Sequence, residues 1–149
     1  MNAVNVVADN KSKGLAQRWC DRLDAELNAA AAREAAAGGG AAGAAAGAEG
    51  GGYTLVLQRH LVGVLLGVWV RARLVPHVRA ARASTAAVGV LGVMGNKGAA
   101  AVRFELFDST FCFVCGHLAA HRENVDGRNA DVTSIVAKLR FTGARRASM

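Results

Sequence analysis

The segment "AVRFELFDSTFCFVCGH", residues 101–117, alternates large apolar side chains with other residues along two runs. The residues that share this period of two are Val102, Phe104 and Leu106 in the first run, and Phe111, Phe113 and Cys115 in the second. A period of two is that of a β-strand, in which successive side chains point to opposite faces. The intervening "DST" favours a turn. The segment therefore predicts a β-hairpin whose second strand ends at Cys115, because Gly116 breaks the pattern.

Two other patterns complete the predicted secondary structure of the second half of the chain. The runs "YTLVLQRHLV" and "GVLLGVWVRARL" are rich in Leu and Val and are separated at Gly63, so they predict two adjacent strands, the second largely buried. Apolar residues at helical spacing between Val125 and Leu139 predict a helix from about residue 124 to residue 140.

The first half of the chain carries a helical pattern. Leu15, Trp19, Leu23 and Leu27 recur at every fourth position, which places them on one face of a helix. We predict a helix from about residue 13 to residue 28, with this apolar stripe packed on the core.

Residues 29–52 consist of alanine and glycine apart from Arg33, Glu34 and Glu49. Such a segment has no large side chain whose burial could offset the entropy lost on ordering the backbone. We predict a disordered insertion over 29–52, with its alanine-rich start extending the helix by a turn or two. The predicted domain thus comprises residues 1–28 and 53–141, followed by a tail, 142–149.

Length and charge limit the possible classes of protein. A chain of 149 residues is long enough for one domain with its own core. Its formal net charge of +7 favours anionic partners such as phosphates, nucleic acid or an acidic membrane surface. No secretory signal is visible, and the longest apolar run, residues 61–70, is shorter than the roughly 20 residues that span a bilayer. These features predict a soluble or peripheral protein.

The cysteines favour no metal or redox motif. Cys112 and Cys115 form one C-x-x-C pair on a predicted strand, and no second pair follows, so a zinc ribbon or thioredoxin motif is not supported. We expect all three cysteines, with Cys20, to be buried reduced thiols.

The segment "HLAAH" raises the question of a metal site, because His117 and His121 have the spacing of zinc ligands on one helix face. The residues before it predict a strand, however, and the glutamate of H-E-x-x-H is absent. A role for His117 at a functional site and a hydrogen-bonded histidine at a strand end are about equally favoured by the pattern.

Two loops carry polar side chains suited to a phosphate. In "VMGNKGA" the glycines allow close approach of the backbone, Asn96 offers an amide and Lys97 a compact positive charge, although an ordinary hairpin turn fits the spacing as well. In "GHLAAHRENVDGRN" Arg128 and Asn129 lie near a helix start, where a solvated helix face is the alternative. The glycine spacing matches neither G-x-G-x-x-G nor a Walker loop.

The run "GVLGVMGNKGAAAVRFELFDSTFCFVCGHLAAHRENVDGRNADVTSIVAKLRF" resembles the central part of inositol polyphosphate 5-phosphatase catalytic domains, with their M-G-N-K-G loop, H-L-A-A-H segment and R-N-x-D helix. The segments "MNAVNVVADN", "RWCDRLDAELN" and "HLVGVLLGVWVRARLVPHV" are similar to the preceding parts of plant and algal members. The resemblance implies the endonuclease/exonuclease/phosphatase superfamily fold, an α/β (α+β) protein with a two-sheet β-sandwich flanked by helices.

The resemblance also implies an activity, the Mg²⁺-dependent removal of the 5-phosphate from phosphoinositides and soluble inositol phosphates. It places His117 as the catalytic residue at the scissile phosphate, with His121 as structural support. Asn96 and Lys97 would hold another phosphate of the head group.

Further residues receive roles by the same resemblance. Val93 and Met94 would face the lipid chains or the membrane surface, and Arg128 and Asn129 would brace or border the pocket as substrate-binding residues. The expected location is the cytoplasm, with peripheral attachment to a membrane. No nucleic-acid partner is expected, since aromatic side chains for base stacking are scarce.

Parts of the family pattern have no match in this sequence. The Q-E, W-x-G-D-x-N-Y-R, P-x-W-x-D-R and S-D-H segments do not occur, so we expect no metal ligand within the chain and an incomplete fragment that is inactive alone. Such a fragment would expose a sheet edge. One alternative is a non-catalytic phosphoinositide-binding module. A nucleic-acid-processing relative of the same fold is a second, suggested by the positive charge.

Overall fold

A computed structural model of the chain describes residues 3–37, 51–61, 63–89 and 96–142, with side chains described from residue 13 onward. Its elements are α1 (Ala3–Ala37), β1 (Tyr53–Leu61), β2 (Val64–Arg71), a 3-10 helix (Ala72–His77), β3 (Val78–Ala87), β4 (Gly98–Leu106), β5 (Ser109–His117) and α2 (Val125–Lys138). The strands form two antiparallel sheets in the orders β1-β2 and β3-β4-β5. The predicted mixed class of helices and antiparallel strands is confirmed.

The described elements lie in four layers. α1 packs on β1 and β2, the first sheet packs against the second, and α2 packs on β3 and β4. A two-sheet sandwich with a helix on each outer side results, as the sequence predicted. The two predicted strands on either side of Gly63 are β1 and β2, although β2 is half-buried at every position except Val70, which is buried.

The centre of the second sheet is built from small side chains. Ala99, Ala100, Ala101 and Val102 of β4 are each 0% exposed. On one side of the sheet Ala99 and its neighbour Ala86 pack against Ile135 of α2. Because β4 touches both α2 and the first sheet, both of its faces are covered, and alanine lets the layers approach closely.

The predicted hairpin is β4–β5. Its register pairs Val102 with Phe113 and Phe104 with Phe111, so the alternating apolar residues share one face, as predicted. The rings of Phe104 and Phe111 stack with centroids 5.4 Å apart. Phe111 and Phe113 are nevertheless exposed, and β5 is an edge strand among the described residues.

Two details of this hairpin differ from the prediction. The turn comprises Phe107 and Asp108, one residue earlier than "DST", and Phe107 has a φ of 52°. β5 also continues to His117, because Gly116 pairs with Ala99 and His117 with Gly98. The prediction that Gly116 ends the strand is therefore wrong, since a partner strand can hold a glycine in the ladder.

Helix α1 begins earlier than predicted, at Ala3. It continues to Ala37, which confirms the expected extension into the alanine-rich start of the insertion, so residues 29–37 are helical and not disordered. The physical reason is the high helix propensity of alanine, which lets a helix already formed on the sheet propagate into this segment. Residues 38–50 of the predicted insertion lie outside the described part of the chain.

The face by which α1 contacts the first sheet is also different. The buried residues are small, Ala16, Cys20 and Ala31. Trp19 is 60% exposed, Leu15 50% and Leu23 40%, so the prediction that this stripe packs on the core is wrong.

Polar contacts explain why the face of α1 that contains Cys20, and not the leucine stripe, contacts the sheet. Cys20 Sγ donates to Gln58 Oε1 at 2.9 Å, and Trp69 Nε1 donates to Asp24 Oδ1 at 3.1 Å. Asn28 accepts from the Tyr53 amide at 2.7 Å through Oδ1 and donates to the Tyr53 carbonyl at 3.1 Å through Nδ2. The half-buried backbone at the start of β1 is thus satisfied by a side chain of α1.

The cysteines differ in their surroundings. Burial raises the pKa of the Cys20 thiol, and the nearby Asp21 carboxylate acts in the same direction. Cys112 is exposed and Cys115 half-buried, so the prediction of three buried thiols holds for Cys20 and is wrong for Cys112. The reason is that these two residues lie on an edge strand, β5.

We expect Asn28→Ala to lower the free energy of unfolding by about 2 kcal/mol, because it leaves both backbone groups of Tyr53 without this partner. Urea denaturation of the whole chain measures the change. Glu26→Ala, an exposed change on the same helix, is the matched control and should leave stability within about 0.5 kcal/mol. Equal stabilities of the two variants would contradict this role of Asn28.

Candidate functional site

The start of β4 and the end of β5 lie at one edge of the second sheet, where Gly98 pairs with His117. Gly98 has a φ of 144°, and a Cβ at this position would overlap the Ala86 carbonyl oxygen and approach Leu61. Glycine is therefore required here. The carbonyl of the preceding residue, Lys97, accepts from the Val88 amide at 2.9 Å, which fixes Lys97 to the end of β3.

This backbone arrangement brings the side chain that precedes β4, Lys97, close to the last side chain of β5, His117. Lys97 Nζ lies 2.9 Å from His117 Nε2. An ammonium group has donors and no acceptor, so a hydrogen bond between these two atoms requires Nε2 to accept. His117 is exposed and Lys97 half-buried, which leaves a positive charge and an imidazole side by side at an accessible sheet edge.

Asn96, the third predicted residue of this loop, precedes Lys97 and is exposed. Val93 and Met94, predicted to face lipid, lie outside the described residues. Strands β3 and β4 are antiparallel neighbours, since Ala87 pairs with Gly98, so residues 88–97 form the connection of a hairpin. A hairpin connection does not conflict with a role in binding, because it is the loop that carries Lys97 to His117.

The segment after β5 is held by α2. The Ala119 amide donates to Asp131 Oδ2 at 2.7 Å. The guanidinium of Arg128 donates to the carbonyl of His121 and, at 2.9 Å, to that of Arg122. Asn124 Oδ1 caps the helix by accepting from the Gly127 amide at 3.1 Å. Helix α2 therefore fixes the path of the chain from His117 to its own first turn.

Of the two predicted site residues in α2, Arg128 donates to backbone carbonyls and so braces the segment after β5. Asn129 is exposed, and its backbone carbonyl accepts from Thr133 Oγ1 at 2.9 Å. Contact of either side chain with a substrate stays a prediction. Asp131 was missed as a supporting residue. The R-N-x-D motif contains it, but only the fold shows that its carboxylate reaches the loop after β5.

His117 and His121 lie in different surroundings. His117 Nε2 is in contact with Lys97, and His121 lies beyond the strand end with a φ of 76°. Its carbonyl accepts from Arg128 and, at 3.2 Å, from the Asn124 amide. Within the described ranges, no group of three or more His, Cys, Asp or Glu side chains could hold a metal ion.

A separate cleft lies at the other end of β4 and is not part of this site. Its volume is about 250 Å³, and it is lined by Pro76, His77, Arg79, Phe107 and Asp108. None of the residues predicted for the site lines it.

The structure is a helix-flanked β-sandwich with a cation and an imidazole at neighbouring strand ends. Such a surface site is suited to an anionic phosphate group. The sequence model of the Endonuclease/Exonuclease/phosphatase family 2 matches residues 3–149. The chain belongs to this family.

Individual proteins are similar to part of this chain. The type IV inositol polyphosphate 5-phosphatase 9 of Arabidopsis thaliana is 37% identical over 91 residues, which are 60% of this chain and 22% of that protein. Synaptojanin-2 of Rattus norvegicus is 41% identical over 93 residues, 62% of this chain and 6% of that protein. The chain spans about a fifth or less of the length of these relatives.

A solved structure supports the same fold. The inositol polyphosphate 5-phosphatase domain of SPsynaptojanin, solved in complex with inositol (1,4)-bisphosphate and calcium ion, is similar with a TM-score of 0.56 and 34% identity. The match covers 63% of this chain and 27% of that one. The fold of the endonuclease/exonuclease/phosphatase type, expected from the resemblance, is confirmed.

We expect Gly98→Ala to lower the free energy of unfolding by about 2–3 kcal/mol, since alanine at a positive φ is strained and its Cβ meets backbone. Urea denaturation measures this. Gly14→Ala is the matched control, because a Cβ there meets nothing within 4 Å and the helix gains up to about 1 kcal/mol. Similar stabilities of the two variants would count against a required glycine at 98.

We expect Arg128→Ala to destabilise the chain by about 1–2 kcal/mol, because the carbonyls of His121 and Arg122 lose a charged donor. The Asn124 amide also donates to the His121 carbonyl. Its hydrogen exchange should therefore become faster, by a factor that corresponds to a similar change in free energy. Arg73→Ala, an exposed arginine in the 3-10 helix, is the control. Unchanged exchange at Asn124 in Arg128→Ala would rule out the bracing role.

Proposed function

We propose that this chain forms the phosphate-holding part of an inositol polyphosphate 5-phosphatase. The observation that carries the proposal is the contact of 2.9 Å between Lys97 and His117 at the sheet edge, in a chain of the phosphatase family. The relatives named as inositol polyphosphate 5-phosphatases and the neighbour bound to inositol (1,4)-bisphosphate support it. The substrate class is an inositol phosphate or phosphoinositide that carries a 5-phosphate.

The reaction is hydrolysis of a phosphate monoester. Water forms a new bond to phosphorus, the bond from phosphorus to the inositol 5-oxygen breaks, and the products are inorganic phosphate and the free 5-hydroxyl group. The Lys97 ammonium offsets the negative charge of a head-group phosphate, with the exposed Asn96 amide as a second donor. His117 is the residue at the scissile phosphate, where an imidazole hydrogen-bonds a phosphoryl oxygen.

The proposed cofactor is Mg²⁺, which would stabilise negative charge on the phosphoryl oxygens. The neighbouring structure contains a calcium ion, a related hard divalent cation that also prefers oxygen ligands. The described residues do not fit such an ion, since they provide no cluster of three acidic, histidine or cysteine ligands. The residues described here are therefore assigned to substrate binding and not to metal binding.

The proposed location is the cytoplasmic face of a membrane, with peripheral attachment. Val93 and Met94 precede Lys97 in the same loop and would face the lipid. The net charge of +7 favours an anionic surface. None of the helices described is long and apolar enough to cross a membrane.

A second candidate function is non-catalytic binding of phosphoinositide head groups. The specific observation in its favour is that the described residues provide phosphate-binding donors without a metal-binding cluster. Binding of this kind needs Lys97 and does not depend on Mg²⁺.

Phosphate release from inositol 1,4,5-trisphosphate, with and without Mg²⁺, tests the proposed activity. We expect His117→Ala to lower the rate by roughly 100-fold or more, because a group at the reacting phosphate is lost. His77→Ala is the matched control, since this exposed histidine stacks on Phe107 at the other end of β4. Equal rates for the two variants, both well above the rate without protein, would exclude His117 from the reaction.

The same variants separate the two candidate functions. The binding module is the better account if no variant releases phosphate but the chain binds vesicles containing phosphatidylinositol 4,5-bisphosphate without Mg²⁺. Lys97→Ala should then abolish this binding.

A further inference from the structure

Lys97 and His117 receive separate roles from the resemblance, one at a head-group phosphate and the other at the scissile phosphate. The structure joins them by a direct hydrogen bond of 2.9 Å. The backbone ends of both side chains are fixed, Lys97 by the bond from the Val88 amide and His117 by its pairing with Gly98. Their contact is therefore a consequence of the strand register.

We propose that Lys97 is a positioning residue for His117, which it holds as the Nδ1–H tautomer with the Nε2 lone pair at the sheet edge. The hydrogen bond that a ring nitrogen makes decides which tautomer is present. An exposed imidazole has no packing to fix its ring, and among the described residues the Lys97 ammonium provides the donor that does so. The identity of the ligand at this edge rests on the proposed function, whereas the tautomer does not.

The arrangement makes the histidine responsive to a phosphate group. The imidazole is a neutral acceptor, whereas a phosphate oxygen carries a charge opposite to that of the ammonium, so a phosphate competes with the imidazole for the Lys97 N–H donors. When the ammonium turns to the phosphate, Nε2 loses its donor, so the ring proton can reside on Nε2 and be donated to a phosphoryl oxygen of the bound substrate. Lys97 thus couples occupancy of the site to the hydrogen bonding of His117.

Nitrogen-15 NMR of the histidine rings in the whole chain tests the proposal at a pH where imidazole is neutral. In the unmodified chain we expect the Nε2 shift of His117 to be that of an unprotonated nitrogen. Lys97→Met removes the donor and should move this shift toward that of a protonated nitrogen. Lys97→Arg keeps a donor and should restore it. Arg73→Met, at an exposed arginine of the 3-10 helix, is the control for the loss of one positive charge.

Titration with inositol 1,4,5-trisphosphate separates this proposal from the proposed function. A tautomer that changes in Lys97→Met but does not respond to the inositol phosphate would support the positioning role and contradict the proposed function. A tautomer that is the same in Lys97→Met and in the unmodified chain would overturn the positioning role, even if the inositol phosphate binds. A folded NMR spectrum of each variant ensures that neither result reflects unfolding.

Discussion

The burial of four consecutive small residues in β4 is the constraint on which the rest of the structure depends. Residues 99–102 are fully buried between the first sheet and α2, so larger side chains there would force the layers apart. The same strand pairs with β3 and β5 on its two sides. Gly98, at its start, therefore lies opposite both Ala87 and His117, and the pairing that forms the core also positions the site.

Much of the fold follows from local sequence patterns. The alternation in residues 101–117 has the period of a strand, and its apolar positions face one another in β4–β5. The orientation of α1 does not follow from such a pattern. Its polar contacts join residues far apart in the sequence, as Asp24 with Trp69, and the largest side chain of the helix, Trp19, is left exposed. Periodicity identifies a helix but not which face the remaining structure covers.

For the candidate site too, local sequence patterns predict one part and the tertiary structure decides the rest. The identities of Lys97 and His117 were predicted from motifs, but their contact depends on the register of two strands and on the conformation of Gly98. A register shifted by one residue would turn the His117 side chain to the other face of the sheet. The spacing of His117 and His121 was misleading for a related reason, since the strand ends between them and they share no helix face.

The distribution of charge along β4 bears on the proposed phosphate site. Glu105 pairs with Arg103 at 3.2 Å, and Asp108 lies in the turn beyond the far end of the strand. A strand of this length extends over about 30 Å, so neither carboxylate can reach a phosphate held at Lys97. The described edge therefore offers a cation and an imidazole, and no acidic group of the hairpin competes with an anionic ligand there. The proposed recognition of a phosphate would thus depend on the strand register, whereas hydrolysis requires carboxylates that β4 and β5 do not bring to this edge.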